Sequence, residues 1–157
     1  MTIPLNELIP LAYPTAVLFP SGGWNVLLAD LNDGNGPFID TWNVPNITMP
    51  SSSDLTALQT QYASQFSNNQ LQSQGTAAIQ NLLDTTAQSK QYNDALTCVT
   101  YATSTNAAWQ AEAVAFIAWR DAVYASAIST FSQVESGSIP APTIENFLAG
   151  LPSINWS

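Results

Sequence analysis

The side chains that could take part in chemistry in this 157-residue chain are eleven acids, two bases and one cysteine, with no histidine. Histidine is the commonest general base and a usual ligand of catalytic zinc, so its absence argues against both kinds of site. Two carboxylates could hydrolyse a glycosidic bond, but the acids are scattered and no spacing singles out a pair. Phosphate-binding loops of the G-x-x-x-x-G-K type are also lacking. The sequence therefore predicts no catalytic residue, no cofactor and no metal ligand, in a protein that is not an enzyme.

Cys98 and Arg120 are single residues of their type and need an explanation. Cys98 has neither a histidine partner nor a basic neighbour in sequence, which predicts a buried small apolar residue. Arg120 falls near the centre of an apolar helix face, where its permanent charge requires a carboxylate. We expect a buried ion pair between Arg120 and one of Asp94, Asp84 or Glu145.

The element that must position these residues is one long helix over residues 106–137. Asn106 is a suitable N-cap, and Gly137 can adopt the left-handed conformation that ends a helix. Apolar residues recur between them at helical spacing. Tryptophan usually packs in a core, but Trp119 lies to one side of the apolar arc and is expected to contact a partner. The interior is expected to contain Trp109, Phe116 and Phe131.

The composition constrains the class of protein. Charged residues make up 8% of the chain, against about 25% in typical soluble proteins. The net charge of −9 excludes a basic patch for nucleic acid or for an anionic membrane surface. No apolar run reaches the roughly 18 residues of a membrane-spanning helix, and no basic flank marks a secretory signal. A polar surface with few charges suits a protein docked in an assembly, made in a reducing cytoplasm.

The first 48 residues contain two patterns. Four prolines within residues 1–23 predict an extended arm, lying either on its own core or along a partner chain. Residues 24–43 predict a β-hairpin, with the turn formers of residues 32–36 between its strands. The acids and asparagines of that turn could be imagined as calcium ligands, but the bidentate glutamate that ends a calcium loop is missing.

The remaining residues predict helices. A Ser-Ser-Ser-Asp start at 51–54 is followed by apolar residues at helical spacing, but the heptad then reaches Gln65, Asn69 and Gln72. This predicts a helical hairpin or a helix broken near Gly75, the alternative being a long helix on a partner coiled coil. The predicted fold class is α+β, a small N-terminal β-hairpin module followed by a mainly helical body. Its segments are 1–48, 49–100 and 101–157.

Two motifs resemble small tail proteins of tailed bacteriophages, in particular tail fibre assembly chaperones. The first is DGNGPFI at 33–39, followed by Trp42-Asn43 and Pro45, with Asn32 where the family usually has aspartate. The second is a YATSTN loop at 101–106, the FIAWRDAVY helix at 116–124 and a Pro-Thr-Ile helix that ends in Leu-Pro at 151–152. Together the motifs cover about half of the chain.

The resemblance implies a tail fibre assembly chaperone that binds a homotrimeric fibre in the host cytoplasm and remains in the virion tail. A permanent structural component of the tail, fibre or baseplate without a folding role is the first alternative, and a glycan-binding accessory is the second. We expect Phe38 and Trp42 in the hairpin to anchor the fibre, with Trp119 as a further contact.

Overall fold

The computed structural model of the protein describes residues 2–156 and confirms the α+β fold class. The chain divides into two compact units, Met1–Phe66 and Ser67–Ser157, with the boundary inside a helix of the predicted middle segment. No helix within residues 2–156 is long and apolar enough to cross a membrane. The elements in order are α1 (Leu5–Ala12), β1 (Val26–Ala29), β2 (Phe38–Trp42), α2 (Ser52–Gln88), α3 (Ala95–Thr100), a 3₁₀ turn (Tyr101–Thr103), α4 (Ala107–Glu135) and α5 (Ile144–Ala149).

The N-terminal arm contains a short helix, so the prediction of an extended arm is wrong over α1. Pro4 precedes α1, and Pro10 within it costs only one backbone hydrogen bond of a two-turn helix. The flanking bonds form, from the Leu8 amide to the Pro4 carbonyl and from the Tyr13 amide to the Ile9 carbonyl, both at 2.8 Å. Leu8 and Ile9 are fully buried within the first unit, so the arm packs on its own core.

The predicted hairpin is confirmed. β1 and β2 pair antiparallel, with Val26 opposite Trp42 and Ala29 opposite Phe38. The connecting turn uses positive φ at Asn32, Gly34 and Gly36, the backbone conformation that a tight reversal needs.

The predicted break near Gly75 is wrong, because α2 runs without interruption for 37 residues. Its first turn is stabilised by Ser51, whose amide and hydroxyl both donate to Asp54. Gly75 is buried within the second unit, where an added Cβ would lie 3.2 Å from the Phe131 ring. The glycine therefore serves close packing of side chains rather than a turn.

The second unit is a helical bundle around one apolar core. α4 matches its predicted limits: the Asn106 side chain accepts from the amides of Ala108 and Trp109, and Gly137 has φ +72°. The core is formed by buried residues of the α2 end, α3, α4 and α5, namely Leu71, Ile79, Leu83, Ala87, Ala95, Cys98, Phe116, Trp119, Val123, Ala127, Val134 and Phe147. α3 is only six residues long and leads directly into the 3₁₀ turn.

Candidate functional site

The two predicted anchor residues lie on opposite faces of the hairpin. Trp42 faces the core of the first unit, where its ring makes an edge contact with Tyr13 at 5.1 Å. Its indole N–H donates to the Ile47 carbonyl at 2.8 Å. Phe38 lies on the opposite side, paired with Ala29, and its side chain is 40% exposed. Phe38 is thus exposed at the surface, whereas the ring of Trp42, the other predicted anchor, packs inward against the core of the first unit.

Two further exposed aromatic residues accompany Phe38 in the first unit. Phe19 and Trp24 contact each other edge to face at 5.6 Å and are both largely exposed. Leu18, next to Phe19, pairs with Val26 and packs in the core. Phe19 follows Leu18 in a turn, and its ring is exposed, as is that of Phe38 in β2. We call Phe19, Trp24 and Phe38 the aromatic face.

The sequence prediction missed Phe19 and Trp24. They flank the turn-forming run Pro-Ser-Gly-Gly at residues 20–23, and apolar residues beside a turn are often exposed. That position was the only available signal, since neither residue belongs to a periodic pattern.

The strand β2 has a free edge beside this face. The Val26 amide donates to the Val17 carbonyl at 3.2 Å, and the Val26 carbonyl accepts from the Phe19 amide at 3.0 Å. Both backbone groups of Val26 therefore point away from β2, and those of its partner Trp42 point away from β1. No other strand among the described residues pairs with β2. Its outer backbone groups are available to an extended segment of another chain.

One feature limits pairing at this edge. The register shifts between Leu27 and Leu28, so Asp40 has no cross-strand partner and carries its charge on an exposed bulge. A bulge and a charge both oppose uncontrolled edge-to-edge association. Both features therefore disfavour pairing of this edge with another copy of itself.

Two tryptophans of the second unit have the opposite burial to that predicted. Trp119, expected at a partner surface, is only 7% exposed, and its indole N–H donates to the Pro152 carbonyl at 2.7 Å. Trp109, expected in the core, is 50% exposed and contacts Tyr101 edge to face. The two other predicted core residues of α4 do pack inside, Phe116 fully buried and Phe131 stacked on Phe147.

The predicted buried ion pair of Arg120 is also wrong. Its guanidinium donates to the adjacent Asp121 at 2.8 Å, and that carboxylate is 63% exposed. The Arg120 side chain keeps about a third of its surface exposed, so its charge stays in water while its stem covers apolar neighbours.

The three carboxylates proposed as partners of Arg120 are each associated with the start of a helix, and Asp84 reaches one from the end of α2. Asp84 accepts from the Ala95 amide at 3.0 Å, and Asp94 caps α3 through the Thr97 amide at 2.6 Å. The bond from the Thr97 amide lowers the pKa of Asp94 and keeps it ionised. Glu145 lies in the first turn of α5, where a negative charge is favoured by the helix dipole.

The prediction for Cys98 is confirmed, since its side chain is fully buried in the core of the second unit. Burial, reinforced by the charge of Glu112, raises the pKa of this thiol to about 11, so it remains protonated and unreactive at neutral pH. Among residues 2–156, no group of three or more acidic, cysteine or histidine side chains could hold a metal ion.

No protein-family model, curated protein or solved structure matches this chain significantly.

Proposed function

We propose that this chain is a tail fibre assembly chaperone of a tailed bacteriophage. It binds the tail fibre through the aromatic face and the free edge of β2. The observation that carries the proposal is the exposure of Phe19, Trp24 and Phe38 on a unit whose core is already closed. Three exposed aromatic residues on one small folded unit are typical of an interaction surface, where a few aromatic anchors supply most of the binding energy.

The proposed mechanism is ATP-independent holding. A fibre subunit exposes unpaired strand edges and apolar surface before it trimerises, and both promote aggregation. The free edge of β2 can pair with such a strand, while the aromatic face covers adjacent apolar side chains. Binding takes place in the host cytoplasm during assembly, and the polar surface with few charges suits continued residence in the virion tail.

The partner is a larger, homotrimeric fibre protein, as the family resemblance implies. Its contact surface is apolar or basic, because the chain has eleven acids and only two bases. Both bases are already engaged in ion pairs, Lys90 with Glu112 and Arg120 with Asp121. A nucleic acid or an anionic membrane would meet no free cation among the described residues.

A pull-down with the carboxy-terminal fragment of the proposed tail fibre tests the surface. Phe38→Ser should weaken capture by about tenfold or more, since an interface aromatic typically contributes over 1 kcal/mol. Ile128→Ser, which removes a similarly exposed apolar side chain from α4 in the second unit, is the matched control and should capture fibre normally. Equal loss in both variants, or in neither, would remove the aromatic face from the proposal.

A further inference from the structure

A small polar pocket in the second unit is not used by the proposed function. It has a volume of about 200 Å³ and opens on the surface where the end of α2 meets the start of α4. Its lining combines two charged groups, an amide and three aromatic rings, contributed by Lys90, Gln91, Tyr92, Tyr101, Trp109 and Glu112.

The charged groups of the pocket neutralise and fix each other. The Lys90 ammonium donates to one oxygen of Glu112 at 3.0 Å, and the Tyr92 hydroxyl donates to the other at 2.9 Å. The Lys90 ammonium also lies 5.2 Å from the centre of the Trp156 ring. The pocket therefore has no net charge, yet each carboxylate oxygen can accept another hydrogen bond from a ligand.

The three aromatic rings of the pocket are held by contacts with one another. Trp109 is half exposed and touches Tyr101 edge to face, with ring centres 5.8 Å apart, and Tyr101 is held in turn by Tyr92 at 5.2 Å. An edge contact leaves much of the indole surface open. A rigid aromatic surface beside fixed hydrogen-bonding groups binds a ligand with little loss of side-chain freedom.

The backbone at Gln91 is the most informative feature. α2 and α4 are followed by the same hydrogen-bond pattern, in which an amide shortly past the helix donates to the carbonyl five residues back: Tyr92 to Ala87 and Ser138 to Gln133. In both, the residue before that donor has positive φ, +72° at Gly137 and +68° at Gln91. This conformation favours glycine, and Gly137 supplies it after α4.

At the end of α2, glutamine occupies the glycine position despite the unfavourable φ. Its side chain lines the pocket and is exposed. A strained backbone position that places an exposed amide at the edge of a pocket is a reason to look for a ligand.

We infer that this pocket binds a single neutral sugar ring, with the ring stacked on Trp109 and its hydroxyl groups bonded to Gln91 and Glu112. A pyranose has an apolar C–H side and a hydroxylated rim, which match the indole and the polar groups. A nucleotide is disfavoured, because its phosphates would meet a chain of net charge −9. This site lies in the second unit and does not depend on the proposed fibre contact.

The test is NMR titration of the whole chain with the methyl pyranosides of glucose, galactose, mannose and N-acetylglucosamine at millimolar concentration. At least one should give saturable shifts at the Trp109 indole and the Gln91 amide, and Trp109→Ala should abolish them. Trp24→Ala, which removes a comparably exposed indole from the first unit, should bind normally.

Gln91→Gly separates binding from folding. Glycine relieves the positive φ, so the melting temperature should rise or stay the same, while affinity falls by about tenfold through the lost hydrogen bonds. Absence of saturable shifts with all four glycosides would overturn the inference. Binding that survives both Trp109→Ala and Gln91→Gly would overturn it equally, because the sugar would then lie elsewhere.

Discussion

Replacing Gly75 with alanine tests how the second unit is packed. An added Cβ would lie 3.2 Å and 3.3 Å from two Phe131 ring atoms and 3.3 Å from a Phe147 ring atom, all shorter than ordinary contact. The two rings stack on each other with centres 5.3 Å apart, and Phe147 is buried, so neither can move without disturbing the other.

Two opposing terms set the magnitude. Alanine in place of glycine within a helix stabilises by about 1 kcal/mol. Forcing an extra methyl group into a packed core costs about 1–3 kcal/mol. Because the methyl group of Gly75→Ala would meet two rings, we expect the packing cost to prevail and the free energy of unfolding to fall by about 1 kcal/mol. The melting temperature should then fall by about 2–4 °C.

Urea unfolding followed by circular dichroism measures this change. Ser73→Ala, at an exposed position of the same helix, reports the propensity gain without the rings and should be mildly stabilising. In a Phe131→Leu background, Gly75→Ala should cost less than it does in the parent, since leucine lacks the distal ring atoms. If Gly75→Ala alone stabilises by about 1 kcal/mol, the rings relax freely and the packing argument is refuted.

Three further substitutions test other contacts. Trp42→Ala should cost about 3 kcal/mol in urea unfolding because the ring packs inward, and unchanged stability would show that it does not. Arg120→Met should change stability by less than about 0.5 kcal/mol, since its partner is exposed, whereas a loss above about 2 kcal/mol would indicate a buried pair. The hydrogen bond from Lys90 lowers the pKa of Glu112 below its ordinary value of 4.5 in the folded protein. The ionised Glu112 therefore stabilises the fold fully above pH 4.5, and this stabilisation is lost as the pH falls through the lowered pKa of the folded state. Unfolding measured against pH should therefore show less acid destabilisation in Lys90→Met than in the parent, and identical slopes would contradict the pairing.

The elements that could be predicted from the sequence are those with local signals. Asn106 and Gly137 mark α4 because capping depends on residues within one turn of the helix end. The hairpin follows from its turn, since only a few residue types accept positive φ at Asn32, Gly34 and Gly36. Burial of Cys98 also follows from its local surroundings, which contain no partner for a reactive thiol.

The features that could not be predicted depend on residues distant in the chain. Gly75 lies inside a continuous helix, where its missing side chain leaves room for the rings of Phe131 and Phe147. Phe131 is more than fifty residues away in the chain, so local sequence does not indicate this contact. Trp119 is buried because the Pro152 carbonyl accepts its indole hydrogen, which no helical pattern of α4 can indicate. α1 forms despite Pro10 because burial of its apolar residues offsets one missing bond.

The soluble yield of trimeric fibre on co-expression tests the proposed function most directly. The fibre fragment would be produced alone, with this chain, with Phe38→Ser and with Ile128→Ser, and the trimer quantified by native gel and sedimentation. The proposal predicts a higher trimer yield with the parent chain and with Ile128→Ser, and a yield near that of fibre alone with Phe38→Ser. A yield that no form of the chain changes, with the chain decorating only fibre already folded, would contradict the chaperone role and indicate a purely structural component.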